Sequence, residues 1–211
     1  MTGGAGFIGS NFCDYILSAE DIQRLYIVDK FTYAGLPENL EQALRDSRCE
    51  LVKGDICTPQ TYQNLFKEID LLINFAAESH VDNSILSPVN FVQTNIFGTF
   101  QLLEQIRRNN KSVRFVQIST DEVYGSLSFT DKSSTPQSTI NPSSPYSASK
   151  AGADHLVLSY SKTYAMDVVV TRSSNNYGPR QLPEKFIPKI ITHALQDKEI
   201  PLYGTGENIR D

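Results

Sequence analysis

Short runs rich in apolar and β-branched residues recur at positions 25–28, 50–52, 71–75, 113–118 and 168–171, separated by longer stretches with helix-compatible spacing. That alternation predicts strands of a parallel sheet joined by crossover helices. The intervening stretches at 8–18, 37–44, 61–66, 88–108 and 145–164 are long enough to cross the sheet faces as right-handed βαβ units, so the fold class expected is α/β with a doubly wound parallel sheet. Pro37, Pro88 and Pro145 each fall near a predicted helix start, where a missing amide hydrogen costs little. Residues 126–145, rich in Ser, Thr and Pro, read as loop, and no internal repeat is visible.

The chain has 211 residues, of which 40% are hydrophobic and 20% charged, enough for a sizeable core and too few for two complete domains. With a net charge of −5 and no basic cluster longer than Arg107-Arg108, there is no electrostatic footprint for nucleic acid. Cys13, Cys49 and Cys57 show neither the Cys-x-x-Cys nor the Cys/His spacing of a redox or metal site, so reduced buried thiols and no bound metal are expected. No apolar run approaches the roughly 18 residues that span a bilayer, and the start carries glycines instead of a basic and apolar leader; a cytoplasmic location is the simplest expectation. Both ends are unusual. A glycine turn begins at residue 3, where a central strand would normally precede it, and Asp211 follows a turn marked by Gly204 and Gly206. The expectation is an internal piece of a longer protein whose first strand is missing.

Thr2-Gly3-Gly4-Ala5-Gly6-Phe7-Ile8-Gly9 places Gly3, Gly6 and Gly9 at three-residue spacing as a helix opens. Glycines let backbone amides approach a pyrophosphate, and the helix N-terminus adds unsatisfied N–H groups and the positive end of its dipole. A structural turn could also use these glycines. Asp29, 20 residues after Gly9 at the end of the next strand, tips the reading to a dinucleotide site, since an acid there accepts from the adenosine ribose. An acid also repels a 2′-phosphate, which favours NAD over NADP. Asp55 and Ile56, after the following strand, are either adenine contacts or a strand-end turn.

Two Tyr-x-x-x-Lys matches occur. Tyr26 and Lys30 lie on a strand, where four residues separate them by roughly 13 Å, too far to cooperate. Tyr146 and Lys150 fall in the first turns of a helix, where positions four apart share a face. A lysine ammonium beside the phenol would favour the phenolate and draw Tyr146 down towards working pH, making it a candidate general base; a surface pair on a helix would carry the same spacing. Thr120-Asp121-Glu122 follows the strand at 113–118, at the carboxyl edge of the sheet where ligands bind. Two carboxylates beside a hydroxyl in a cofactor cleft suggest one group kept as acid and one as base, against the alternative of a capped turn.

On these residues the chain resembles the extended short-chain dehydrogenase/reductases, and among them the dTDP-glucose 4,6-dehydratase family. The likeness runs end to end, carried also by Val28-Asp29-Lys30 with Thr32 to Gly35, Gly54-Asp55-Ile56, Phe75-Ala76-Ala77-Glu78-Ser79-His80, Thr171-Arg172-Ser173-Ser174-Asn175-Asn176-Tyr177-Gly178-Pro179, Pro183-Glu184-Lys185 and the closing Tyr203 to Asp211. The adjacent acids discriminate most: related epimerases lack them, and decarboxylases and GDP-mannose dehydratases typically place only the glutamate. The resemblance implies a Rossmann-type NAD-binding domain over 1–175 and the start of a nucleotide-sugar part over 176–211. It implies that Tyr146 deprotonates the sugar 4-hydroxyl during oxidation by NAD, with Lys150 on the cofactor ribose, and that Glu122 removes the C5 proton while Asp121 protonates the departing 6-hydroxyl. Thr120 would bond the sugar near O4. It further implies cofactor contacts from Lys30, Thr32, Ala76, Ala77 and Ser79. Ser79, His80, Asn175, Glu184, Lys185 and Arg210 are expected around the sugar nucleotide, and two copies are expected to dimerise through the helices at 88–108 and 145–164. Asn83 and Thr205 depart from the family's usual arginine and acid. A UDP-glucose substrate, an epimerase or decarboxylase reaction, and a non-catalytic NAD-binding module remain the alternatives.

Overall fold

The computed structural model describes residues 1–19, 21–202 and 205–206. Five strands, β1 (Leu25–Asp29), β2 (Cys49–Lys53), β3 (Leu71–Asn74), β4 (Arg114–Thr120) and β5 (Val168–Ser173), are all parallel and pair as β2 with β1 and as β3 with β4 with β5. Met1 and Thr2 join the two groups: Thr2 bridges Val28 on one side and Asn74 on the other, and its amide donates to Ile73 O at 3.0 Å while its carbonyl accepts from Phe75 N at 3.0 Å. The slot expected to lack its strand is therefore held by two residues, and the sheet is continuous in the order β2, β1, residues 1–2, β3, β4, β5. A buried polar chain runs across this seam, from the Thr2 hydroxyl to Asn74 Oδ1 at 2.6 Å and from Asn74 Nδ2 to Gln117 Oε1 at 2.9 Å. Each of these buried polar atoms has a partner, which fixes the register of β3 against β4.

Two apolar clusters cover the sheet. One, under α1 (Phe7–Leu17), gathers Cys13, Leu25, Ile27, Leu40 and Ile73; the other, under α4 (Thr99–Asn109) and α5 (Pro145–Tyr164), gathers Val28, Leu102, Leu103, Phe115 and Val157. Ile27 and Val28 thus point to opposite faces, and β1 is buried at every position, which is why it reads as an unbroken apolar run. On β5 the pattern alternates, with Val169, Thr171 and Ser173 exposed. Between the packed helices, the Tyr160 hydroxyl donates to buried Glu104 Oε1 at 2.9 Å. Ion-paired hydrogen bonds from Arg107, with the tyrosine bond adding to them against burial, hold the Glu104 carboxyl down to about 2.

Some expected helices differ. The stretches at 37–44 and 61–66 form only 3-10 turns, Pro37–Leu40, Ala43–Arg45, Pro59–Thr61 and Gln63–Lys67. Segments this short do not recover the cost of nucleating an α-helix. The stretch at 88–108 divides into α3 (Pro88–Phe91), a π-helical segment Val92–Gly98, and α4. Two helices were not expected, α2 (Val81–Leu86) and α6 (Phe186–Leu195). Helix α5 opens on a capping box between Ser144 and Ser147 with Pro145 in its first turn. It ends at Ala165 with φ +55°, a left-handed cap that favours glycine. Ala165→Gly is expected to raise stability by about 0.5–1 kcal/mol, read as a higher urea midpoint at unchanged slope.

Candidate active site

The glycine turn leaves the end of the residue 1–2 stub and enters α1. Gly3 has φ +69°, and a Cβ there would collide with the backbone of Ala76; a Cβ on Gly9 would collide with the Gly3 carbonyl. Gly6 differs, because its missing Cβ meets only Gly3 O at 3.5 Å and the space opens into a cavity. No side chain caps α1 and no acid sits in its first turn, so its leading amides are left for an anion. Asp29, ending β1, accepts from Ala5 N at 2.8 Å and from Phe31 N at 2.8 Å, one bond to each oxygen. The carboxylate clamps the turn to the strand and keeps a second lone pair on each oxygen for hydroxyl donors. Beside it, Lys30 pairs with Asp55 at 2.7 Å, and Asp55 also accepts from Cys57 N at 2.9 Å. The bond to Asp55 raises the Lys30 ammonium above its ordinary value.

Across the cavity, β4 ends at Thr120 and a 3-10 turn, Asp121–Tyr124, begins. The Thr120 hydroxyl accepts from Glu122 N at 3.2 Å and donates to Asp121 Oδ1 at 3.0 Å, so it fixes both acids relative to the strand end. Tyr146 and Lys150 come from the first turns of α5. The Tyr146 ring meets Phe91 edge-on, with centroids 6.3 Å apart. Lys150 is buried, and its Nζ donates to Ile118 O at 2.6 Å. Here the expected lowering of Tyr146 is corrected. Burial raises its phenol well above the ordinary value and the charges of Glu122, Asp121 and Asp154 add to this, against a lowering hydrogen bond with Thr120. Lys150 is itself brought down to about 8 by burial, with Asp154 opposing, and its ammonium is turned to the β4 carbonyl. The i, i+4 spacing gives a shared helix face but not the dielectric, and burial is the largest influence on both groups.

These elements enclose a cavity of about 500 Å³. Its wall includes Gly3, Gly6, Phe7, Ile8, Gly9, Asp29, Lys30, Thr32, Asp55, Ile56, Ala76, Ala77 and Ser79 on one side, and Thr120, Glu122, Tyr146 and Lys150 on the other. Asn175, Glu184 and Lys185 line it from the segment after β5. Asp121 and His80 do not. His80 instead caps α2, its Nδ1 accepting from Asn83 N at 3.4 Å, which is the structural alternative to a substrate contact. Arg210 lies outside the described residues. The second Tyr-x-x-x-Lys match is split, Tyr26 donating to Glu68 and Lys30 to Asp55.

Three wall or support residues carry no role in the sequence reading. Ser119 lines the cavity with its hydroxyl buried and without a hydrogen-bond partner. Glu78 lines it with its carboxyl raised by burial. Asn95, in the π-helical segment, accepts from Glu78 N at 2.9 Å and donates to Glu78 O at 3.0 Å and to Ser149 Oγ at 2.8 Å, tying the chain after β3 to the helix of Tyr146. An asparagine among apolar neighbours inside a helix was the available signal.

Over its whole length the chain is 46% identical to the dTDP-glucose 4,6-dehydratase of an Actinoplanes species, spanning 67% of that protein, and 46% identical to that of Mycobacterium tuberculosis, spanning 63%. The crystal structure of the dTDP-glucose 4,6-dehydratase of Streptomyces venezuelae, with NAD and TYD bound, superposes with a TM-score of 0.93 at 43% identity, covering 97% of this chain and 64% of that one. The chain thus spans about two thirds of the length of the proteins it matches. The family model described as GDP-mannose 4,6 dehydratase covers residues 1–211, the parallel α/β sheet matches that of the solved relative, and to that family the chain belongs.

Proposed function

We propose that the full-length protein is a hydro-lyase that converts dTDP-glucose to its 4-keto-6-deoxy product with NAD as a resident cofactor. One observation carries this reading: Thr120 and Glu122 line the same cavity as Tyr146 and Lys150, opposite a glycine cradle, with Asp121 held between them by the Thr120 hydroxyl. The residues present fit the dinucleotide. The cradle at Gly6 is open, the leading amides of α1 are uncapped, Asp29 retains acceptor capacity, and the buried Ser119 hydroxyl awaits a partner. When bound, NAD supplies the hydride acceptor at C4 and the hydride donor at C6.

The chain's own residues account for the rest. Tyr146 takes the proton of the sugar 4-hydroxyl, and the Thr120 hydroxyl holds O4. The 4-ketone acidifies C5, whose proton Glu122 removes while Asp121 gives a proton to the departing 6-hydroxyl, so one water leaves. Lys150 would hold the cofactor ribose, and Asn175, Glu184 and Lys185 would hold the nucleotide diphosphate and sugar. Epimerisation needs no second acid to expel a hydroxyl, so the Asp121-Glu122 pair favours dehydration. The same reading pairs two copies through the helices at 88–108 and 145–164, where Val89, Val92 and Leu158 stand exposed, and puts the protein in the cytoplasm.

The test is incubation of the full-length protein with dTDP-glucose and with UDP-glucose in D₂O, followed by mass spectrometry. Loss of water from dTDP-glucose with one deuterium gained at C5 is expected. Loss from UDP-glucose alone would move the substrate to that nucleotide, and loss from neither would overturn the dehydratase reading.

A further inference from the structure

Behind the cavity wall lies a second set of polar groups that this mechanism does not use. Arg172 on β5 donates from Nε to Asp154 Oδ2 at 2.9 Å and from Nη1 to the Tyr124 hydroxyl at 2.8 Å, and its guanidinium lies 5.2 Å from the Tyr124 ring centroid. Tyr124 is the last residue of the turn that carries Asp121 and Glu122. Asp154 is wholly buried on α5, one turn beyond Lys150, and its other oxygen has no hydrogen-bond partner. The planar fork of an arginine suits such a two-ended bond, and a lysine would hold only one end. None of the three residues lines the cavity.

We propose that Arg172 is a positioning residue: it ties the acid-bearing turn to the helix of Tyr146 and Lys150, and it balances the Asp154 charge that those two groups face. The inference rests on the dehydratase reading for its catalytic consequence, but its electrostatic part stands without it. Lys150 faces Asp154 from its own helix and the Ile118 carbonyl from β4; Tyr146 faces Glu122 and Asp121 from the turn and Asp154 from α5. The neighbours from α3 and the π-helical segment, Phe91 and Asn95, bring no charge. Arg172 is the cation bonded to Asp154, so removing it leaves a net negative charge one turn from Lys150.

The sign then follows. Arg172→Met exposes Lys150 to an unbalanced carboxylate and raises its ionisation midpoint by about one pH unit; Asp154→Asn leaves the guanidinium unbalanced and lowers it by a similar amount. The double variant, with both charges gone, falls between. Isotope-labelled lysine in the full-length holoprotein, with Lys150 assigned through Lys150→Arg, reads these midpoints by NMR without substrate. Tyr124→Phe keeps the ring and the charges but loses the strut, so it leaves the Lys150 midpoint in place and lowers kcat about tenfold at constant KM.

Unchanged midpoints in both single charge variants would overturn the electrostatic half. An unchanged kcat in Tyr124→Phe would overturn the strut. Should Arg172→Met fail to fold, Asp154→Asn and the double variant decide the same point. If the wild-type protein dehydrates no sugar, the dehydratase reading fails while the titrations still judge Arg172.

Discussion

Replacing Tyr146 with phenylalanine is expected to slow sugar oxidation about 10³-fold to 10⁴-fold, the upper range for loss of a positioned general base. The fold should survive, because the edge-on contact with Phe91 needs only the ring. Pre-steady-state formation of reduced nicotinamide, followed by near-ultraviolet absorbance in full-length protein given dTDP-glucose, measures the step. The raised pKa of this phenol also gives a direction: burial and three carboxylates oppose the phenolate, so the wild-type oxidation rate should climb with pH across the neutral range. Tyr146→Phe should be flat there. An unchanged rate in the variant would remove Tyr146 from the reaction.

The second large effect belongs to Glu122→Gln, in which the amide keeps the size of the side chain but cannot accept a proton. Elimination should fall about 10²-fold to 10⁴-fold, with deuterium no longer entering C5 from D₂O. Oxidation should respond in the opposite sense. The Glu122 charge is one of the groups that raise Tyr146, so its loss eases formation of the phenolate and speeds the first step at a given pH. Reduced nicotinamide would then accumulate, a state separable from the Tyr146→Phe result, in which none forms. A variant that lost both steps equally would mean that Glu122 is structural.

The parts of this site that were legible in the sequence are those set by local spacing. Gly3, Gly6, Gly9 and Asp29 need only a strand, a turn and a helix in order, and the side-chain clamp from Asp29 to the Ala5 amide is the physical reason that their spacing is informative. Tyr146 and Lys150 share a face because four residues make about one helical turn. What depends on the surroundings was not legible. The direction of the Tyr146 shift is decided by burial and by Asp154 and Glu122, which sequence spacing does not place. His80 caps a six-residue helix that the pattern at 81–86 does not announce. The stretches at 37–44 and 61–66 carry helical spacing yet settle as 3-10 turns, since a short segment takes its form from what it packs against. Two residues, Met1 and Thr2, suffice to join β1 to β3, because an interior strand position is defined by hydrogen bonds on both sides and Thr2 makes bridges to each.

The π-helical segment Val92–Gly98 bears on how the chain length can vary. A π turn holds more residues than an α turn, so removing one residue here would restore regular α geometry at no cost in backbone bonding. Because the wider turn already absorbs the extra residue, the helical segments on either side would keep nearly the same facing after such a deletion. The change would fall on the segment itself: Asn95 would lose its placement against the Glu78 amide and carbonyl and against Ser149, while Leu102, Leu103 and Ile106 stayed in the core. The length of this segment thus matters apart from residue identity: a single-residue deletion across 92–98 should leave the core packed yet break the tie that Asn95 makes between the chain after β3 and α5.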